Sequence, residues 1–174
     1  LIEPFNTPEN HMKFAVQVTA LTLSLIATAA NAQAVRTEKN MSLDLANQIA
    51  AATVAACSAS GYNVTAAVVD RAGTLRALQR ADNAGPHTVG AAQGKAYTSA
   101  SARNTTAAML ENVQKNPGAA TLVDIPGFLI LGGGVPVKAG NEVIGAVGVG
   151  GAPGGHLDEQ CANAGIAKVA ELLK

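Results

Sequence analysis

Two β-rich runs, each broken in its middle by a tight turn, constrain this chain more than any other feature. In the first, "NVTAAVVD" is rich in β-branched side chains, and Asp70-Arg71-Ala72-Gly73 turns it into "LRALQRA". In the second, "GVPVKAG" meets "NEVIGAVGVGG" through Ala139-Gly140-Asn141. Turn-forming residues between apolar and β-branched runs are the signature of antiparallel hairpins. A further run, "GFLILGG", predicts one more strand, so the expectation is a five-stranded, mainly antiparallel sheet.

Helices fill the spaces around these strands. Ser42 is a suitable N-cap, Asp44 lies in the first turn, and Leu45, Ile49, Ala52 and Ala56 make one face. Gly61 supplies the stop. After the break "NAGP", His87 to Ala102 contains no proline and predicts a second helix. Asn104 or Thr105 caps a third, which runs through Met109 to Lys115 and is closed by "NPG". Leu157 to Leu172 predicts the last. The resulting order, α-β-β-α-α-β-β-β-α, places the chain in the α/β (α+β) class, with the terminal helices covering one face of the sheet.

The N-terminal end is expected to lie outside this domain. Residues 1–11 precede Met12 and look like a vector-derived remnant. Residues 12–34 have the form of a secretory signal peptide: Lys13 supplies the positive charge, and Phe14 to Ala30 carries none. Ala30-Asn31-Ala32 and Ala32-Gln33-Ala34 offer small residues for cleavage. The run is short and alanine-rich for a membrane anchor, so the remaining domain, 35–174, is expected in the periplasm or secreted, without stable membrane insertion. When retained, Phe14 to Ala30 is expected to bury itself, more readily against a neighbouring subunit than against its own domain.

Lys and Arg together number 12, as do Asp and Glu, and no basic stripe appears, which argues against a nucleic-acid partner. Aromatic residues make up 3% of the chain and tryptophan is absent, so the core must be built from small and aliphatic side chains in close backbone contact. Such chains often complete their burial by forming homo-oligomers. Cys57 and Cys161 form no C-x-x-C motif, and each sits in an apolar helical stretch. Buried free thiols are the preferred reading, with a single disulfide as the alternative.

The chemistry-bearing residues are few. His87 follows Gly85-Pro86 at a helix start, and a neutral imidazole there is a candidate metal ligand. His156 occupies the equivalent place at the last helix. Arg80 and Asp82 lie at a strand end, and Lys95 comes two helical turns after His87, so these groups are candidates to surround a carboxylate. Gly150 and Gly151 begin a glycine-rich strand-to-helix loop able to hold an anion on its amides, or simply to make a tight corner. Gly90, Ala91, Ala92, Gly94 and Ala96 let a second surface approach their helix closely. H-E-x-x-H and G-x-S-x-G are both missing, and no nucleophile is paired with a base.

The stretches "AAVVDRAGTLRALQRADNAGPHTVGAAQGKAYTSA" and "GGGVPVKAGNEVIGAVGVGGAPGGHLDEQCANAGI" resemble the GlcG/HbpS-like family, also called the haem-degrading domain family and related to the C-terminal domain of PduO. The resemblance covers nearly all of Met41 to Lys174. Its most specific elements are V-V-D-x-x-G-x-L, the K-A-Y-T helix, G-G-x-P-V, and I-G-A-V-G-V-G-G followed by Asp158-Glu159. It implies a compact domain on a five-stranded antiparallel sheet, of profilin-like architecture, assembled into symmetric oligomers, often octamers. It also implies haem binding, in carriage, sensing or degradation. On that basis His87, or else His156, is the expected iron ligand, and Arg80 or Lys95 is expected to face propionates. A binding protein for a small organic acid is the rival reading.

Overall fold

The computed structural model describes residues 35–174, so the expected signal peptide and the segment before it lie outside the described residues. The chain forms two units, Leu1–Glu38 and Lys39–Lys174. What is described of the first is an exposed ion pair between Arg36 and Glu38 at 3.3 Å. Everything below concerns the second.

Its elements run α1 (Leu43–Ala59), β1 (Thr65–Asp70), β2 (Leu75–Arg80), α2 (His87–Ala102), α3 (Thr106–Lys115), β3 (Gly134–Ala139), β4 (Glu142–Gly150) and α4 (Gly155–Lys168). Short 3-10 turns follow α3, at Pro117–Asp124, and α4, at Ala170–Leu173. Ser42 and Thr105 cap α1 and α3, each accepting a backbone N–H three residues on, as their sequence positions lead one to expect.

Both hairpins form, but the described sheet has four strands in the order β2-β1-β4-β3, all antiparallel. The expected fifth strand, "GFLILGG", is irregular. The Gly133 carbonyl accepts the Val149 N–H of β4 at 2.9 Å, but two groups earlier in the segment bond threonine hydroxyls and not a strand. The Leu129 N–H donates to Thr98 Oγ1 at 2.7 Å, and Thr106 Oγ1 donates to the Leu131 carbonyl at 2.8 Å. Thr106 Oγ1 also accepts the Gly134 N–H at 2.8 Å, and Gly133 turns the chain at φ +119°. An apolar composition favoured a strand here, and bonding to side chains distant in sequence overrode it.

Strand β1 is buried along its whole length, which requires cover on both faces. On one face α1 and α4 pack Leu45, Ile49, Cys57, Cys161 and Ala162 against Val68, Val147 and Val149. Cys57 and Cys161 are joined in a disulfide, with Cα atoms 5.3 Å apart, so the preferred reading of two free thiols is corrected. Close helix crossing explains why these positions can meet. A methyl group on Gly165 of α4 would lie 2.0 Å from Thr53 Oγ1 of α1.

On the other face α2 lies on Val69 and Ala146 through Ala96 and Ala100. Here the small-residue composition has its clearest consequence, because a Cβ on Gly148 would lie 2.1 Å from the Ala92 carbonyl and 2.4 Å from the Ala96 N. The surface that comes close to α2 is therefore the chain's own sheet. Gly148→Ala should lower stability by about 3 kcal/mol, the upper part of the usual overpacking range, because rigid backbone must move. A shift in the urea midpoint measures this, and a loss under 1 kcal/mol would show that α2 can lift off the sheet at little cost.

Candidate functional site

The outer side of α2 borders an open groove of about 830 Å³, within the size range of ligand sites. Its lining is mainly apolar. Val69 and Leu75 come from the first hairpin, Phe128 and Leu129 from the irregular segment, and His87, Gln93 and Tyr97 from α2. The segment expected to be a strand thus forms one wall.

His87 is the first residue of α2, as its position after Gly85-Pro86 predicts. Its exposed ring lines the groove, and it has no hydrogen-bond partner among the described residues. The approach to it is well anchored. Arg80 Nε donates to the Ala84 carbonyl at 3.1 Å, and a second guanidinium nitrogen donates to the same oxygen. The buried Thr88 hydroxyl bonds Thr65 Oγ1 at 2.7 Å and the Gly85 carbonyl at 2.6 Å. Gly85 leaves room for the imidazole, since a methyl there would sit 2.7 Å from His87 Cε1.

The other expected site residues lie elsewhere. Lys95 is 2% exposed and points into the protein, where its Nζ donates to Asp158 Oδ2 at 2.7 Å and to the Val149 carbonyl at 2.8 Å. It holds α2 to β4 and α4, and does not line the groove. Burial pushes the Asp158 carboxyl above the ordinary carboxylate range, against the opposing pull of Lys95 and the Ala152 N–H. The glycine-rich loop does hold a carboxylate, but it is the chain's own, because Ala152 N donates to Asp158 Oδ1 at 3.0 Å.

Gly150 and Gly151 serve that corner. A Cβ on Gly151 would meet the Asn63 carbonyl at 2.6 Å, and one on Gly150 would press on Ala91. Arg80 is engaged by the turn before α2 and is not part of the groove wall. His156 opens on a different, more polar cleft of about 520 Å³ between α3 and α4, beside Glu111, Glu159 and Gln160. Burial raises the Glu159 carboxyl. The two histidines therefore do not share a cavity.

Among the described residues no cluster of three or more His, Cys, Asp or Glu side chains could hold a metal ion. No described helix is long and apolar enough to cross a membrane.

Tyr97 is the residue that sequence reasoning quoted without giving it a role. It is 37% exposed on the groove, meets Phe128 edge to face at 6.1 Å, and lies against two glycines in left-handed conformation. Those glycines, Gly73 at φ +80° and Gly127 at φ +85°, lie far from Tyr97 in sequence, so only the fold shows that they face its ring.

Among the described residues, a four-stranded antiparallel sheet covered by helices on both faces, with an apolar groove along a small-residue helix, defines the class as an α+β domain. The chain belongs to the family described as haem degrading protein HbpS-like, whose model matches residues 41–167. A crystal structure of a double mutant of Streptomyces reticuli HbpS is similar at a TM-score of 0.74 and 39% identity, covering 82% of this chain and 95% of that one. Protein GlcG of Escherichia coli K12 is 37% identical over 114 residues, 66% of this chain and 84% of that protein. The structure of a PduOC:Heme complex shares the fold at a TM-score of 0.66 and 23% identity, covering 74% of this chain and 94% of that one.

Proposed function

We propose that this chain is an exported, homo-oligomeric haem-binding protein that holds the porphyrin in the groove beside α2. The carrying observation is an apolar groove of suitable size with one unpartnered imidazole, His87, at the start of the helix that lines it. Membership of a family described by haem degradation supports the choice of ligand. Apolar walls suit a porphyrin face, and an imidazole nitrogen suits its iron. His87 would provide that nitrogen, while Leu75, Phe128 and Leu129 would exclude water. Export is supported by the disulfide, since such bonds persist in oxidising compartments.

Titration with hemin, followed at the Soret band, tests the reading. His87→Ala should weaken binding roughly tenfold or alter the spectrum, as expected for loss of an axial ligand, while His156→Ala should do neither. Equal spectra for wild type and His87→Ala would place the ligand elsewhere. The family description favours one second reading, in which haem is the substrate. Progressive loss of the Soret band on adding reductant and oxygen would select it over carriage.

A further inference from the structure

We infer that Tyr97 is the specificity-determining residue of the α2 groove, donating its hydroxyl to a carboxylate arm of the bound ligand. This rests on the haem reading and deepens it. Three observations carry the inference.

The ring is fixed before any ligand arrives. A methyl on Gly73 would come within 2.7 Å of the Cδ2 edge, and one on Gly127 within 3.2 Å of the Cε1 edge. Both glycines have positive φ, so the β1–β2 turn and the segment before Phe128 are shaped to admit this ring between them. Phe128 adds an edge-to-face contact. A side chain held in this way loses little entropy when a ligand binds.

The hydroxyl is not used internally. No hydrogen bond to it exists among the described residues, although the ring lines the groove. His87 and Gln93 are the other polar side chains among the described lining, and the unpartnered Tyr97 phenol beside Phe128 and Leu129 is a polar contact kept for something else.

The spacing suits a porphyrin bearing carboxylate arms. His87 and Tyr97 are ten residues apart on one helix, which is about 15 Å along its axis. Were His87 to hold the iron, Tyr97 would stand further along the same groove wall, where its hydroxyl could meet a carboxylate arm of the porphyrin. Lys95 cannot serve this end, being committed to Asp158. The groove wall has no Lys or Arg, so a neutral donor must meet the carboxylate.

The test compares hemin with its dimethyl ester, in which both carboxylates are masked, on wild type and Tyr97→Phe. The variant keeps the ring and its packing and removes only the hydroxyl, so its thermal midpoint should match wild type. Wild type should bind hemin more tightly than the ester. Tyr97→Phe should weaken hemin roughly tenfold, the usual worth of a hydrogen bond to a charged group, and leave the ester unchanged. Equal hemin affinity for the two proteins, or an equal loss for hemin and ester, overturns the assignment while leaving haem binding intact. No Soret change with wild type at all overturns the haem reading, and this assignment with it.

Discussion

Lys95→Met should cost about 3–5 kcal/mol at neutral pH, because it strands the buried Asp158 carboxylate without its counter-charge. The pair joins the middle of α2 to the first turn of α4, and both side chains are only 3% exposed. Gly133 closes over it so tightly that a Cβ there would meet Asp158 Cβ at 2.7 Å and Lys95 Nζ at 3.1 Å. Water therefore cannot easily replace the missing ammonium.

The penalty should depend on pH in a definite direction. Burial already raises the Asp158 carboxyl in the intact protein, and loss of Lys95 removes two of the influences that lower it. A carboxyl whose folded value lies above its unfolded value favours the native state fully below the unfolded value, about 4. That contribution is lost as pH rises through the folded value. Lys95→Met should accordingly be least destabilised near pH 4 and lose stability as pH rises. Adding Asp158→Asn keeps an oxygen for the Ala152 N–H and removes the charge. The double variant should regain most of the loss and flatten the pH dependence. Urea unfolding of the three proteins between pH 4 and 8 checks this. A pH-independent loss in Lys95→Met would mean that packing, not charge, holds the two helices.

Much of the frame was legible in the chain. The two hairpins, the caps at Ser42 and Thr105, and the start of α2 at His87 all follow from local rules of turn and cap chemistry, which need no knowledge of tertiary contacts. The failures share a different cause. "GFLILGG" has strand composition, but whether it pairs depends on Thr98 and Thr106, which lie 31 and 25 residues from the backbone groups they bond. Lys95 could be recognised as unusual, yet its partner Asp158 is 63 positions distant, and spacing along one helix cannot reveal it. The motif sequences nevertheless held the answer: the K-A-Y-T helix supplies Lys95, and the later Asp158-Glu159 supplies its partner. Tyr97 was missed because an aromatic on a helix usually signals core, and only the positive-φ glycines facing it betray an exposed, clasped ring.

Removing the disulfide with Cys57→Ala and Cys161→Ala together should cost about 2–5 kcal/mol, the common range for a native bond in a small domain. The bond closes a loop spanning 104 positions, from α1 to α4, which contains β1 to β4, α2 and α3. A ring of this size removes much freedom from the unfolded chain. In the folded state α1 and α4 already pack closely at Thr53 and Gly165, so the native geometry should change little. The expected drop in thermal midpoint is roughly 10 °C, taking about 2–4 °C for each kcal/mol in a domain near this size. Wild-type protein unfolded in reductant should fall to the same midpoint, whereas the double variant should ignore reductant. Cys57 is fully buried and Cys161 nearly so, so reduction of the native protein should be slow and follow its unfolding rate. Counting thiols by alkylation under denaturing conditions should find none without reductant and two with it. Two free thiols in oxidised preparations, together with a midpoint unmoved by reductant, would show that the helices meet here without the bond.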